Sequence, residues 1–214
     1  MQQMVETLAA ALAACGTGGG RRIVALAGPP GAGKSTLAEA AAARLNADRP
    51  GCAVVVPMDG YHLDNAILDA LGWRAVKGAP QTFDAAGLIR DLARIRAGGE
   101  TVFVPVFDRA ADLSRAAARA VPQEAGVILV EGNWLLLDED PWRALAPAFD
   151  LSVMLSVPEA ALERRLIARW LAHGLDPDAA LGRARGNDLA NARRVAVNSR
   201  PADLVLGMAP DNAR

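Results

Sequence analysis

Cysteine is nearly missing from the 214 residues: Cys15 and Cys52 stand far apart with no CxxC or metal-ligand spacing, which excludes a disulfide scaffold and a cysteine-based metal site. Both read as packing residues of a protein in a reduced cytoplasm. Charge of one sign is missing too. Twenty-three Lys and Arg against 24 Asp and Glu give a formal charge of −1, so no global field draws the chain to nucleic acid or to an anionic membrane. No apolar run approaches the ~18 residues of a membrane span, and the start, MQQMVETLAAALAAC, carries an acid where a secretory leader has basic residues. The expected partner is therefore a small molecule, with neither nucleic acid nor membrane involved and a homodimer left open. No internal repeat or low-complexity linker divides the sequence, which predicts one domain over 1–214. Residues 1–20 read as an accessory helix with a Gly-rich connector, GTGGG.

What the chain has is alternation. Short apolar or β-branched runs recur at 22–27, 52–58, 101–106, 127–131, 151–157 and 203–206, separated by Ala/Leu/Arg segments with helical spacing. Strand–helix–strand order predicts an α/β fold, a doubly wound parallel sheet of about five strands with helices on both faces. A helix is predicted over 159–173, opened by Pro158 and closed by His173-Gly174, and another from Asp176-Pro177. Together these form a lid region at about 158–190.

Directly after the first run stands GPPGAGKST. Gly28, Pro29, Pro30, Gly31, Ala32, Gly33, Lys34, Ser35 and Thr36 satisfy G-x-x-x-x-G-K-[ST] at every fixed position, between a predicted strand and a predicted helix. Glycines let backbone N–H groups turn inward around an anion, and the helix that follows points its positive end at the same place. Lys34 then reaches the β- and γ-phosphates and the Ser35 hydroxyl ligates Mg²⁺, with the lysine side chain solvated until a nucleotide binds.

Ligands of an open parallel sheet sit outside the carboxyl ends of its strands, which singles out two acids. Asp59 follows VVVPM, and Glu131 ends VILVE. A carboxylate at the tip of an apolar strand is unfavourable by several kcal/mol without a partner, and Mg²⁺ or a substrate hydroxyl is such a partner. Glu131 suits the metal or its water, the alternative being a helix or turn cap. Asp59 suits a base that takes the proton of a hydroxyl, the alternative being an N-cap before YHLDNAILDAL. In the lid, Arg165 and Arg169 are four apart and share one helix face, with Arg164 beside them; they either stabilise a transferring phosphoryl group or form a solvated face paired with Glu159 or Glu163. Candidate acceptor-binding residues are Tyr61, His62, Arg74, Lys77, Phe107, Asp108 and Arg109. Arg74 and Lys77 would either hold an anionic substrate group or sit at the surface.

GPPGAGKST, MDGYHL, RAVKGAPQTFD, PVFDR, VEGNW and RRLIARW, taken in order, resemble the uridine kinase, pantothenate kinase and phosphoribulokinase superfamily of P-loop kinases. The nearest likeness is to the small bacterial group labelled "putative fructose transport system kinases", and it runs over about residues 21 to 207. The resemblance implies an ATP- and Mg²⁺-dependent kinase for a small-molecule hydroxyl, in which Lys34 binds phosphates, Ser35 and Glu131 serve Mg²⁺, Asp59 is the base and lid arginines close on the phosphoryl group. The chain departs from the uridine kinase pattern at Ala168-Arg169-Trp170, where that pattern has an Arg-Asp pair, and PVFDRAADLSR lacks its histidine. Pantothenate kinases are generally longer. A sugar or related polyol is left ahead of a nucleoside or pantothenate as acceptor. A regulatory GTPase would require an N-K-x-D motif, which is absent, and Asp84-Ala-Ala-Gly87 follows no apolar strand. An ATP sensor without catalysis has less need of two strand-end acids.

Overall fold

The structure, a computed structural model, describes residues 1–15 and 20–207, without the side chain of Cys15. The expectations for Cys15 packing and for most of the GTGGG connector lie outside that description. Five strands, β1 (Arg22–Ala27), β2 (Ala53–Pro57), β5 (Val127–Gly132), β6 (Leu151–Ser156) and β7 (Leu204–Gly207), form a fully parallel sheet in the order β2-β5-β1-β6-β7. Period-2 alternation along β1 divides the core. Val24 and Leu26 face one layer with Leu8, Leu12 and Leu37, while Ile23 and Ala25 face the other with Leu88, Leu92 and Ile95. Burying a Leu or Ile of this kind contributes roughly 1.5–3 kcal/mol, so strands that are apolar on both sides hold two helical layers at once.

The first layer contains α1 (Gln2–Cys15), packed on α2 (Lys34–Asp48), and α5 (Glu159–Ala172). The second contains α4 (Ala85–Ala97) and the turn Trp142–Ala148. Asp84 caps α4 through Gly87 N at 2.8 Å, which accounts for the D-x-x-G sequence without any nucleotide. α3 (Asn65–Ala70) is capped by Asp64, whose side chain accepts from Ala66 N at 2.8 Å. Asp59 is therefore not that helix's cap. At its C-terminal end, α5 continues through α6 (Pro177–Arg183), one π-helical turn (Ala184–Asp188) and α7 (Leu189–Asn198).

The run at 101–106 corrects the simple alternation. It belongs to β3 (Val102–Asp108), which pairs antiparallel with β4 (Leu113–Val121) in a hairpin separate from the parallel sheet. Its partner AAARAV is alanine-rich and reads as helical; cross-strand pairing overrides that preference. The pairing shifts register between Val104 and Val106, where Pro105 cannot donate to the ladder. At this bulge the Pro105 carbonyl approaches Gly60 so closely that a Cβ there would lie 2.2 Å away. Only glycine admits this contact, and the contact sets the end of β3 beside the residues that follow β2.

Candidate active site

The carboxyl ends of β1, β2 and β5 open into a cleft of about 530 Å³. Its floor is the loop after β1. Gly31 and Gly33 adopt φ of 77° and 93°, conformations that favour glycine, and they turn the backbone around the start of α2. Pro30, Gly31, Gly33, Lys34, Ser35 and Thr36 face the cleft, whereas Gly28, Pro29 and Ala32 are buried on the underside. Gly28 packs so tightly on β6 that a Cβ would sit 2.8 Å from the Leu155 carbonyl oxygen.

Lys34 corrects the expectation of a solvated side chain. It is 8% exposed, and its Nζ donates to Pro29 O at 3.0 Å and to Asn133 Oδ1 at 2.5 Å. Burial lowers its pKa, while the charges of Glu131 and Asp59 pull the other way. The ammonium is folded back onto its own loop.

Glu131 lies on β5 and Asp59 two residues beyond the end of the adjacent β2, with Pro57 and Glu131 in register. Gly132 lets β5 pass Met58, whose side chain a Cβ there would meet at 2.4 Å. Glu131 is 5% exposed and accepts from Ser35 Oγ at 3.0 Å. Burial, then the neighbouring Asp59 charge, pushes its carboxyl up to about 7, against the opposing pull of Lys34 and Ser35. Because the folded state holds this proton more tightly than the unfolded chain, the stability it contributes is complete below the ordinary value of 4.5 and is lost as pH rises through about 7. Ligand-free protein is thus expected to melt progressively lower, relative to Glu131→Gln, between about pH 5 and about pH 8. Parallel melting curves for the two proteins across that range would contradict the buried, protonated carboxyl.

A hydroxyl and a carboxylate side by side are hard oxygen donors of the kind Mg²⁺ takes. Among the described residues no group of three or more His, Cys, Asp or Glu side chains could cage a metal. Ser35 and Glu131 fit such an ion and would hold it as two oxygen donors.

Asp59 stands in the turn Met58–Tyr61 after β2 and receives Arg109 Nη2 on Oδ2 at 2.7 Å. Burial raises its pKa, but nearby cations outweigh this and hold it below the usual carboxylate range. His62 leads these contributions, followed by Arg109, Lys34 and Arg169. Burial lowers the pKa of His62 itself, against the opposing pull of Asp59, and its Nδ1 donates to Asp59 O at 2.8 Å. In a turn of three residues per revolution, positions three apart eclipse, so His62 follows Asp59 to the cleft while Tyr61 turns inward. Tyr61 is buried and donates its hydroxyl to Asp91 Oδ2 at 2.8 Å, outside the cleft. Arg74 also lies outside, paired with Asp69 at 3.1 Å, and Asp108 caps its own turn by accepting from Ala110 N and Ala111 N. The expectation that these three face the acceptor is corrected. His62, Lys77, Phe107 and Arg109 do line the cleft.

On α5, Arg165 and Arg169 face the cleft and Arg164 is exposed. The Arg165 guanidinium reaches Gly31 O and Ala32 O at 3.4 and 3.3 Å. Arg169 stands 5.4 Å from the Trp170 ring, and Arg183 stands 5.1 Å from the same ring. The acids weighed as surface partners are directed elsewhere, Glu159 to Arg193 and Glu163 to Arg185. Asn133, Asp112, Trp170, Arg183, Asp188 and Asn191 are cleft residues that the sequence did not single out. Asn133, two residues beyond Glu131 at the same strand end, was within reach of the strand-tip argument; Asp112 had no local signal.

The AAA ATPase domain family model matches residues 2–152, the part that carries the P-loop and both strand-end acids. A solved structure from Silicibacter sp. TM1040, described as a "putative fructose transport system kinase", is 47% identical, covers 94% of this chain and 98% of its own, and superposes with a TM-score of 0.88. A "putative uridine kinase" from Schizosaccharomyces pombe is 33% identical over 197 residues, 87% of this chain and 83% of its own. A pantothenate kinase from Sorangium cellulosum is 33% identical over 224 residues, 91% of this chain and 71% of its own. With an ATPase-type core at its start and kinase relatives that span most of its length, the chain belongs to the uridine kinase and pantothenate kinase family of P-loop kinases.

Proposed function

We propose that the protein transfers the γ-phosphate of ATP to a hydroxyl of a small molecule, a sugar such as fructose or a related polyol, with a nucleoside or pantothenate as the alternative acceptor. One observation carries this reading: a single cleft joins the P-loop, with Lys34 and Ser35, to Asp59 and the aromatic wall of His62, Phe83 and Phe107. A nucleotide sensor would need only the first half. The family's ATP would place its phosphates over Gly31–Thr36, and Mg²⁺ would rest on Ser35 and Glu131, supplying charge neutralisation between phosphate oxygens. Asp59, kept ionised by Arg109, accepts the hydroxyl proton as the bond to phosphorus forms. Its low basicity is adequate, because the loose transition state of phosphoryl transfer asks for a positioned acceptor more than a strong one. Arg165 and Arg169, on one face of the lid helix, meet the charge spread over the transferring oxygens.

These positions divide the labour of the lid. Arg165 lies on the P-loop carbonyls, so Arg165→Ala is expected chiefly to raise the KM for ATP. Arg169 lines the cleft and interacts electrostatically with Asp59, so Arg169→Ala is expected chiefly to lower kcat, by about 10-fold to 100-fold. Steady-state kinetics at saturating acceptor separates the two, and identical KM and kcat changes would remove the distinction. The reading as a whole is tested by ATP consumption against a panel of sugars, polyols, nucleosides and pantothenate. Acceptor-dependent ADP release with at least one hydroxyl compound is the expected result; a rate indifferent to every acceptor would defeat it.

A further inference from the structure

The acceptor wall of the cleft carries two cations, and both already have a partner. Lys77 follows the short turn Arg74–Val76, and its side chain is only 9% exposed. Its Nζ donates to Asp112 Oδ1 at 2.7 Å, Asp112 O at 3.0 Å and Asn65 Oδ1 at 2.7 Å, which uses all three of its protons. Below it the Phe107 ring lies 4.9 Å from the ammonium. Asp112 is presented from the β3–β4 turn with φ of 52°, a left-handed conformation that Asp and Asn tolerate. The same side chain accepts from Asn65 Nδ2 at 2.9 Å and lies 3.7 Å from Arg74. The second cation of the wall, Arg109, is held by Asp59 at 2.7 Å.

Beside these two ion pairs the wall presents uncharged groups, while Arg165, Arg169, Arg183 and Asp188 line the cleft from α5, α6 and the π-helical turn. His62 sits 4.0 Å from Phe83 and 4.7 Å from Phe107, ring centroid to ring centroid, and forms an aromatic panel with them. Asn191, 6% exposed, makes a long bond of 3.4 Å to Asn187, and both amides face the cleft. Each of the two cations already faces a carboxylate, Lys77 that of Asp112 and Arg109 that of Asp59, so an entering carboxylate or phosphate finds neither of them unmatched. A molecule with several hydroxyls and an apolar ring face meets amides and aromatic carbons, with no charge to strip of water.

We infer that Asp112 is a specificity-determining residue: by neutralising Lys77 it restricts the acceptor to uncharged polyhydroxy compounds and excludes sugar phosphates and sugar acids. This rests on the kinase reading, and it goes beyond it by naming the charge class of the acceptor and the pair that sets it. The direct consequence is that removing the Asp112 charge releases Lys77 to bind an anion.

The test is isothermal titration of the full chain saturated with ADP and Mg²⁺, so that the P-loop is filled. The probes are two pairs that differ in one carboxylate, gluconate against sorbitol and D-glycerate against glycerol. The parent protein is expected to favour the neutral member of each pair. Asp112→Asn preserves the turn conformation, and it is expected to move the ratio of carboxylate to neutral affinity by at least about tenfold toward the carboxylate. Adding Lys77→Met to Asp112→Asn is expected to cancel that shift. A parent protein that prefers the carboxylates, or a ratio unchanged in Asp112→Asn, overturns the inference. No turnover is involved, so failure here is separate from failure of the kinase reading, which is judged by product formation.

Discussion

Lys34→Ala is expected to slow phosphoryl transfer by a factor on the order of 10² to 10³ while leaving the fold intact. The ammonium lies at the first residue of α2, where the helix end and the inward-facing loop amides already favour an anion. In the proposed transfer the lysine would add a charge on the phosphate being transferred, an interaction stronger in the transition state than in the bound ground state. The fold survives because the side chain's two bonds, to Pro29 O and Asn133 Oδ1, tie it to the site and not to the core beneath. Removing it also removes a buried charge whose own ionisation burial disfavours. Turnover and melting temperature measured on the same preparation check both halves, and a Lys34→Ala enzyme with near-parental kcat would refute the assigned role.

Exchanging the two strand-end acids separates their functions more finely. Asp59→Asn is expected to depress kcat by ~10²–10⁴ with little change in affinity for ATP with Mg²⁺, the range associated with loss of a general base. Glu131→Gln is expected to shift the Mg²⁺ dependence of the rate to higher concentration, since an amide oxygen is a poorer ligand for a hard cation than a carboxylate. The geometry supports two roles. Ser35 Oγ lies 3.0 Å from Glu131, beside the P-loop, while Asp59 is turned to Arg109 and the acceptor wall. If both acids served one metal, kcat plotted against Mg²⁺ would respond alike in the two variants, and the assignment of Asp59 as base would be lost.

How far the sequence reached can be seen at particular residues. The P-loop, the five parallel strands and the helix α5 were legible because each rests on a local rule: a fixed spacing, a run of β-branched residues, or Pro158 before an acidic first turn. The acids at 59 and 131 were legible because an expensive charge at a strand tip needs a partner. The hairpin was not, because alanine-rich β4 is a strand only through its pairing with β3. Tyr61, Arg74 and Asp108 neighbour cleft residues in the chain, yet each is turned to its own partner by short-range geometry that residue type does not encode. Asp112 shows the converse. It reaches Lys77 across 35 positions of chain, and only the hairpin brings the two together.

Transfer to a small-molecule hydroxyl can be followed at the terminal phosphorus of ATP by ³¹P NMR in the presence of a candidate polyol. A phosphate monoester of the polyol is expected to grow in step with ADP, dependent on Mg²⁺ and lost in Lys34→Ala and Asp59→Asn. ATP conversion to ADP and inorganic phosphate alone, at the same rate with or without every acceptor, would contradict it.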